Sequence, residues 1–331
     1  MSTYQKVLVY LIGVILGLII LTLIPRPERE SREHPWHAQT APEGTYPLSY
    51  TDHYERRVEF NRQPRYFISL APSVTETLFA MGMGDHLYAV TRWCNYPEQA
   101  KALRDAGAQI GDMDTPNREM ILEYRPDLIL GSHLTPLETY QQLHNAPRTI
   151  AVAMRYETVA DIYQAISDIG RVTGVPGHAN RLIQSLRERE AAVTERLQPY
   201  QVNEPRSVVF LLNLEDDLQP GWAAGQDTYI DDLIRMSHAR NPVAGIGASW
   251  GQLQMEALLE MNPDVILIKR SDSPEGRERQ QQQIRDLRNH PVWNKLQAVQ
   301  NHRVLPVAGD YLNIPGPRTF DALEEFASAI W

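Results

Sequence analysis

Residues 119–130 read Glu-Met-Ile-Leu-Glu-Tyr-Arg-Pro-Asp-Leu-Ile-Leu, and residues 256–267 repeat this stretch as Glu-Ala-Leu-Leu-Glu-Met-Asn-Pro-Asp-Val-Ile-Leu. The two copies are 137 positions apart and agree at seven positions without a gap. Each copy predicts a helix end, with apolar residues three and four positions apart, followed by a break at Pro-Asp and a short buried strand. Two such units predict two lobes of like construction. Small ligands preferentially bind in clefts between domains, so the duplication also predicts a binding cleft.

Length and composition narrow the class of protein. At 331 residues the chain fits two domains better than one core. Its 43% hydrophobic and 22% charged residues are ordinary for a globular protein. The net charge of −9 disfavours a nucleic-acid partner, because binding to phosphate backbones requires a basic surface. Cys94 is the only cysteine, which excludes an intramolecular disulfide and a multi-thiolate metal site.

The amino-terminal segment predicts attachment to a membrane. Residues 7–24 form a run of 18 uncharged, mostly apolar residues. As a helix this run is about 27 Å long, which just spans a bilayer core. Neither a small-residue cleavage pattern nor a cysteine that could carry a lipid follows it. We therefore predict an uncleaved signal anchor in residues 1–24, with a cleaved signal peptide as the alternative. Residues 25–45 are polar and rich in proline, which predicts a flexible linker.

Residues 46–155 predict an amino-terminal α/β lobe, because strands feeding helices recur along this part of the chain. A hairpin is expected from residues 46–51 and 57–61, and a buried strand from residues 65–70. Ser73 and Glu76 have capping-box spacing at the start of the following helix, and Gly82 predicts its end. Further strands are expected at residues 87–91, 128–130 and 149–152.

Residues 156–204 predict an inter-lobe helical region, and residues 205–331 a second α/β lobe. From residue 178 to about 198, apolar residues recur at three- or four-residue intervals, which predicts a stiff connecting helix about 31 Å long. In the second lobe we expect a strand at 207–212, a surface loop running into a helix at 273–283, and a final helix at 318–331. Ser249 and Gln252 have capping-box spacing, which predicts a helix with Trp250 in its first turn. The predicted fold is thus α/β, with two lobes, each a central sheet flanked by helices, joined by one long rigid helix, plus an amino-terminal transmembrane helix.

Several motifs, taken as a set, resemble a known family. They lie at residues 68–82, 91–97, 117–119, 125–129 and 316–318. As a set they resemble the class III solute-binding proteins of ABC importers, and most closely the cobalamin-binding proteins among them. The similarity runs from about residue 46 to the end. It implies a helical-backbone metal receptor without an intrinsic cofactor, in a periplasmic or extracytoplasmic location. The amino-terminal helix would anchor the protein to the cytoplasmic membrane, and the cleft would deliver its ligand to a permease dimer.

The resemblance gives a role to two glutamates of the duplicated stretch. In such proteins one glutamate on each lobe meets arginine clusters of the permease dimer, and the matching residues here are Glu119 and Glu256. The positions of these residues are compatible with this docking role. One carboxylate per lobe, in the first turn of a helix, gives two matched negative charges for a two-fold symmetric partner. The alternative is that both residues only complement helix dipoles.

The resemblance also implies a set of ligand-contacting residues. A corrinoid is a large, partly apolar plate, so its site needs flat aromatic surfaces and a few polar groups. The positions that match the family's cleft are Ser73, Trp93, Met113, Trp222, Trp250 and Tyr311. For any single aromatic residue, ordinary packing is an equal alternative. Met113 and Ser132 stand where the closest relatives have aromatic residues, which leaves room for a different plate.

For the other polar residues with ligand chemistry, simpler roles are expected. His133 follows a strand and is a weak candidate for a haem-iron or cobalt ligand, since neutral imidazole is the commonest metal ligand. Cys94 is expected to be a small buried residue rather than a metal ligand. Arg92 and Arg318 have the chemistry to bind ligand carboxylates or phosphate, with structural salt bridges as the default. Helix capping is the simpler role for Ser73 and Glu76.

Three alternative functions remain open at this point. The same scaffold serves ferric siderophores and haem, but siderophore sites need several cleft cations and the cleft positions here are more aromatic than basic. An enzyme is disfavoured, because the sequence contains no clustered His/Asp/Glu set with ligand spacing and no nucleophile-base arrangement. A tethered sensor that reports ligand to a partner protein is the third alternative.

Overall fold

Two sheets built on parallel strands organise the residues that the computed structural model describes, 46–200, 204–247 and 249–331. These residues belong to one compact unit, residues 44–331. The predicted signal anchor and linker, residues 1–45, lie outside the described residues. Within the described ranges, every helix is too short or too polar to cross a bilayer.

The amino-terminal lobe contains a hairpin and a four-stranded parallel sheet. Strands β1 (Leu48–Thr51) and β2 (Arg57–Phe60) pair in antiparallel fashion, as predicted. The sheet has the order β4-β3-β5-β6 and consists of β3 (Phe67–Ser69), β4 (Leu87–Ala89), β5 (Leu128–Ser132) and β6 (Ile150–Met154). Its helices are α1 (Pro72–Ala80), α2 (Glu98–Asp105), α3 (Arg118–Glu123) and α4 (Leu137–His144).

Two consecutive helices, α5 (Val159–Thr173) and α6 (Pro176–Leu197), connect the sheets. Helix α5 begins at a capping box formed by Thr158 and Asp161, and it ends at Gly174, whose φ of 77° suits glycine. Proline fits the first turn of a helix, which explains why α6 begins at Pro176. Helix α6 packs against α5 on one side and against the last helix of the chain on the other, so it contacts elements of both lobes.

The carboxyl-terminal lobe contains a five-stranded mixed sheet of order β11-β10-β7-β8-β9. Its strands are β7 (Val208–Leu211), β8 (Trp222–Ala224), β9 (Trp250–Gln252), β10 (Val265–Lys269) and β11 (Val304–Val307). Strands β7, β10 and β11 are parallel, whereas β8 and β9 are antiparallel to their neighbours. The helices of this lobe are α7 (Tyr229–Met236), α8 (Met255–Met261), α9 (Pro274–Leu287), α10 (Gln297–Gln300) and α11 (Thr319–Ile330).

The duplicated stretch forms the same structure in both lobes. Helix α3 leads into β5, and α8 leads into β10, with Arg125 and Asn262 in the left-handed region at φ 48° and 37° after the helix. Asp127 then accepts a hydrogen bond from the backbone N–H of Arg65 at 3.0 Å, and Asp264 accepts one from Ser207 N–H at 2.8 Å. Each aspartate thus fixes the chain just before the neighbouring strand, β3 or β7. The prediction of two like-built units is confirmed at the level of backbone and hydrogen bonds.

One continuous hydrophobic core joins the two sheets. Alternate residues of each strand face opposite sides, so Leu128 and Leu130 of β5 and Val265 and Leu267 of β10 all face the shared core. Their neighbours Ile129 and Ile266 face separate cores on the outer side of each sheet. Helices α5, α6 and α11 contribute to the shared core, which therefore holds the two lobes together.

Two helix starts predicted from capping-box spacing were wrong. Helix α1 begins at Pro72 after Ala71, so Ser73 is inside the helix and makes no capping hydrogen bond. Trp250 starts strand β9 rather than a helix, because β9 pairs with β8; helix α8 begins only at Met255. Residues 273–283 were predicted as a surface loop running into a helix; the helix is confirmed, but it takes up all of the segment after Ser273. Ser273 caps helix α9 by accepting a hydrogen bond from Gly276 N–H, so the segment is helical from Pro274.

Candidate functional site

The loops that follow the carboxyl ends of the parallel strands carry the site candidates. In open α/β sheets, ligands bind at this edge. We define the carboxyl-edge loops as residues 70–71, 90–97, 133–136 and 155–158 of the first lobe and 212–221, 270–273 and 308–318 of the second. The large apolar side chains exposed among the described residues are Tyr66, Trp93, Tyr96, Leu134, Tyr200 and Trp222. Trp93, Tyr96 and Leu134 lie in these loops, and Trp222 directly follows one of them.

Hydrogen bonds hold Trp93 and the backbone of Met113 in place in the first lobe. The Nε1–H of Trp93 donates to Asp112 at 2.9 Å, and Arg92 forms an ion pair with the same carboxylate at 2.9 Å. Thr135 of the β5 loop donates its hydroxyl to the carbonyl of Met113 at 2.6 Å. The indole of Trp93 is 51% exposed although its N–H is held in place, which leaves a fixed aromatic face open to a ligand.

Trp222 and Trp250 share one face of the β8–β9 ribbon. Trp222 pairs with Gln252, and Trp250 lies two residues before Gln252 on the same strand, so both indoles project to the same side. This is the side of the shared core, because Ala224, opposite Trp250, belongs to that core. Trp222 is 50% exposed, whereas Trp250 packs partly against the core with its ring 6.5 Å from that of Tyr229. Only Trp222 therefore offers an open indole face.

A buried ion pair joins the lobes between these aromatic residues. Arg318, just before α11, donates from Nε and from a terminal nitrogen to the two oxygens of Glu76 in α1, at 2.9 and 2.5 Å. Its guanidinium carbon lies 4.2 Å from the ring centre of Tyr96 and 5.3 Å from that of Tyr311. A bidentate guanidinium–carboxylate pair between two aromatic rings has a fixed geometry, so it holds the two lobes at a fixed distance at this point.

Burial governs the electrostatics of this pair. The Glu76 side chain is 2% exposed and the Arg318 side chain 14%. Burial raises the pKa of the Glu76 carboxyl, while the hydrogen bonds and charge of Arg318 oppose this increase. Ser73 is also buried, since Gly316 of the opposite lobe lies against it, and a Cβ on Gly316 would be 3.6 Å from the Ser73 Cα. The part of Ser73 that a ligand can reach is therefore small.

Tyr311, His133 and Cys94 differ in their availability to a metal. The Tyr311 hydroxyl donates to Glu325, and burial raises the pKa of this phenol, so a tyrosinate ligand is disfavoured. Burial lowers the pKa of His133, and its Nδ1 is buried without a hydrogen-bond partner in the described structure. Cys94 is buried against Thr75 and Thr91, with sulfur–oxygen distances of 3.1 and 3.3 Å. Of the three, only His133 keeps a free ligand atom.

Glu119 and Glu256 occupy equivalent positions in the two lobes. Each is the second residue of its helix, α3 or α8, and each is exposed. Among the described residues neither carboxylate forms an ion pair or a side-chain hydrogen bond. Each helix leads through a tight turn into a parallel strand, so it runs against that strand and its first turn lies toward the carboxyl edge of the sheet. The arrangement presents two unpaired negative charges on the side of the carboxyl-edge loops.

Two further concavities in the described structure lie away from the carboxyl-edge loops. These surface concavities, of about 420 and 330 Å³, lie along α6, around Ile183, and beside β2, around His144. In the described part of the chain, no cluster of three or more His, Cys, Asp or Glu side chains has the geometry to hold a metal ion.

Sequence reasoning missed Tyr96 and Leu134 and gave Glu76 a different role. Tyr96 lies three residues after Trp93 in the same short segment, so a second aromatic residue there was a usable signal. Glu76 and Arg318 are 242 residues apart, and no local pattern connects them.

The chain is similar to known proteins in both sequence and fold. The family profile described as "Periplasmic binding protein" matches residues 68–309. An uncharacterized ABC transporter substrate-binding lipoprotein of Bacillus subtilis (strain 168), YvrC, is 27% identical over 289 residues, which cover 86% of this chain and 86% of the relative. A vitamin B12-binding protein of Pectobacterium carotovorum is 28% identical over 271 residues, which cover 81% of this chain and 88% of the relative.

A solved structure has the same fold. The periplasmic heme-binding protein RhuT from Roseiflexus sp. RS-1, in its apo form, aligns with a TM-score of 0.65 at 26% sequence identity. The alignment covers 81% of this chain and 99% of that chain.

Proposed function

This chain belongs to the periplasmic binding protein family, and we propose that it is the substrate-binding protein of an ABC importer that captures a corrinoid between its two lobes. One observation carries the proposal. Trp93, Tyr96, Leu134 and Trp222 are large apolar side chains, exposed at the carboxyl-edge loops of both lobes. Exposing such groups together is unfavourable in water, and clusters of them mark binding sites.

The chemistry of these side chains suits a flat, mostly apolar ligand. Indole and phenol rings offer large rigid faces at little cost in conformational entropy. Trp93 is held by Asp112 on one lobe, and Trp222 is exposed at the edge of the other, so a plate between the lobes would meet an aromatic face on each side. The vitamin B12-binding relative supports a corrinoid as this plate.

A haem is the second candidate, and His133 favours it. Its Nδ1 is buried and unpartnered, and the lowered pKa of the imidazole keeps it neutral, as a metal ligand must be. The similar fold of a heme-binding protein is consistent with this reading.

The proposal extends to partner and location. Glu119 and Glu256, one per lobe, would dock the loaded protein onto a two-fold permease through basic side chains. We place the folded unit outside the cytoplasmic membrane and propose that residues 1–24 tether it there. No catalytic role is proposed.

Ligand identity is tested by co-elution. The purified chain is mixed with cyanocobalamin, haem or a ferric siderophore and passed over a size-exclusion column, with visible absorbance recorded at each ligand's maximum. We expect cyanocobalamin to elute with the protein. If cyanocobalamin elutes separately while haem co-elutes, the second candidate replaces the first, and separate elution of all ligands contradicts the proposed function.

Truncation of the exposed indoles tests the site itself. Trp93→Ala and Trp222→Ala each remove an exposed aromatic face, and we expect each to weaken cyanocobalamin binding by about 30-fold, because aromatic contact residues typically contribute about 2 kcal/mol. Titration followed by visible absorbance measures the change. Tyr66→Ala is the matched control, since Tyr66 is 46% exposed but lies at the amino end of β3. Equal losses in all three variants would argue against the proposed site.

A further inference from the structure

The carboxyl-edge loops contain four arginines, and every one of them is ion-paired. Arg92 pairs with Asp112 at 2.9 Å, Arg155 with Glu157 at 2.5 Å, and Arg270 with Glu325 at 3.7 Å. Arg318 pairs with Glu76 at 2.5 Å and, more weakly, with Asp310 at 3.5 Å. Lys269, at the end of β10, pairs with Asp272 at 3.0 Å. In this part of the described structure, no Lys or Arg side chain remains unpaired to receive an anionic ligand.

The same loops are acidic overall. They contain six carboxylates against the four arginines, and three of the six, Glu157, Asp272 and Asp310, belong to ion pairs. Glu215, Asp216 and Asp217 stand together in the loop before Trp222. Such a surface repels anionic ligands, and the repulsion is strongest where the surroundings are poor in water.

The pairs differ in how firmly they neutralise their arginines. Arg92 and Arg155 are about half exposed, so water and salt weaken those pairs. Arg318 is 14% exposed, its partner Glu76 is 2% exposed, and the pair is bidentate. Tyr96 and Tyr311 cover the guanidinium. Among the four, only this arginine is both buried at the junction of the lobes and held by a buried carboxylate.

From this arrangement we infer that Glu76 determines ligand charge: by occupying Arg318, it makes the cleft accept neutral metal chelates and reject those that carry carboxylates. The inference rests on the proposed function and specifies its substrate class. A corrinoid whose peripheral groups are amides presents no carboxylate to a cation, whereas haem presents two propionates. An unpaired guanidinium binds carboxylates strongly through paired hydrogen bonds, and Glu76 removes that possibility here.

The test compares two ligands that differ in one charge. Dissociation constants are measured by visible absorbance for cyanocobalamin and for its monocarboxylic acid derivatives, in which one side-chain amide is a carboxylate. We expect the native chain to prefer the amide form by at least about tenfold. Glu76→Gln is expected to reduce this preference by about tenfold, because Arg318 then keeps only the longer contact with the half-exposed Asp310 and can bind the carboxylate. Asp112→Asn, which frees the exposed Arg92, is expected to reduce it less.

Two controls separate charge selection from a purely structural effect. Asp114→Asn removes a carboxylate from the same loop as Asp112, where Asp114 accepts a hydrogen bond from Thr115 and pairs with no arginine among the described residues. It is expected to leave the preference unchanged. Glu76→Gln/Arg318→Gln removes both charges. It is expected to lose the increase in relative affinity for the carboxylate form that Glu76→Gln shows. A general loosening of the cleft would weaken both ligands alike and leave their ratio constant.

The outcomes distinguish this inference from the function on which it rests. If the native chain binds cyanocobalamin but Glu76→Gln and Asp112→Asn both keep the native ratio, charge selection by Glu76 is refuted and the binding function stands. A native chain that prefers the carboxylate form, or haem, refutes the inference in the same way. If the native chain binds none of these ligands, the proposed function and the inference are both refuted. Should Glu76→Gln fail to fold, the native chain still tests the inference, because equal affinity for the amide and the carboxylate form would refute it.

Discussion

Replacing Glu119 and Glu256 together by arginine is expected to abolish ligand uptake while leaving ligand binding intact. Both side chains are exposed, and neither forms an ion pair among the described residues, so the folded unit does not depend on them. A docked permease would instead meet two repulsive cations. Loss of one partner of an interfacial charge pair costs about 2–5 kcal/mol, so two reversals are expected to weaken docking by at least about 100-fold.

The duplicated stretch supplies a matched control. Glu123→Arg/Glu260→Arg makes the same charge change in the same two helices, at the opposite end of each, and both residues are exposed. Uptake of labelled cyanocobalamin by cells that carry each variant as their sole copy is the measurement, with binding to purified protein measured in parallel. Normal uptake by the Glu119→Arg/Glu256→Arg variant would contradict docking and would favour a sensor that reports ligand to another protein.

The second large effect concerns the ion pair between the lobes. Arg318→Met is expected to lower the free energy of unfolding by about 3–5 kcal/mol, because it leaves the buried carboxylate of Glu76 without its partner. Urea denaturation followed by tryptophan fluorescence measures the change. Glu76→Gln/Arg318→Met removes both charges and is expected to recover most of the lost stability. If the double variant is no more stable than Arg318→Met, the loss comes from packing on Tyr96 and Tyr311 instead.

The pH dependence of Arg318→Met provides an independent check. Without the guanidinium, burial and the negative charges of Asp310 and Asp321 raise the pKa of the Glu76 carboxyl further above the usual value of 4.5. A raised folded-state pKa means that the folded form holds its proton more tightly than the unfolded chain does. The destabilisation is therefore expected to be smallest below pH 4.5 and to grow as pH rises through the raised pKa. Arg57→Met, which breaks an exposed pair with Glu59, should show little loss at any pH.

The sequence was sufficient for the architecture because that architecture is encoded locally and twice. The helix end, the Pro-Asp break and the buried strand of each copy depend on neighbours within a few residues. Both copies formed as predicted, and the structure adds that Asp127 and Asp264 have matching roles. The same holds for the first hairpin and for the helix ending at Leu197, where apolar spacing alone predicts the element.

The errors occurred where a distant partner decides the outcome. Ser73 and Glu76 satisfy the local spacing of a capping box, but Arg318 from the other end of the chain binds Glu76 and Pro72 starts the helix. Trp250 likewise satisfies a local helix pattern, yet pairing with β8 makes it a strand. A single sequence contains no direct information on which distant residues pair. The prediction therefore depended on the local capping-box spacing alone. The contact roles of Trp93 and Trp222 remain predictions, supported by their exposure at the carboxyl edge.

The left-handed residues Arg125 and Asn262 give the two halves of the molecule the same backbone turn after a helix. Both follow a helix at the same point of the repeat, and each leads from that helix into a strand of its own sheet. Glu119 and Glu256 are consequently fixed as rigid extensions of their respective halves. Any rotation of one half against the other changes the gap between these two acids and little else about them. A transporter that binds both acids at once is therefore sensitive to the distance between them. A ligand-bound protein with closed lobes would differ from an empty one in that distance alone.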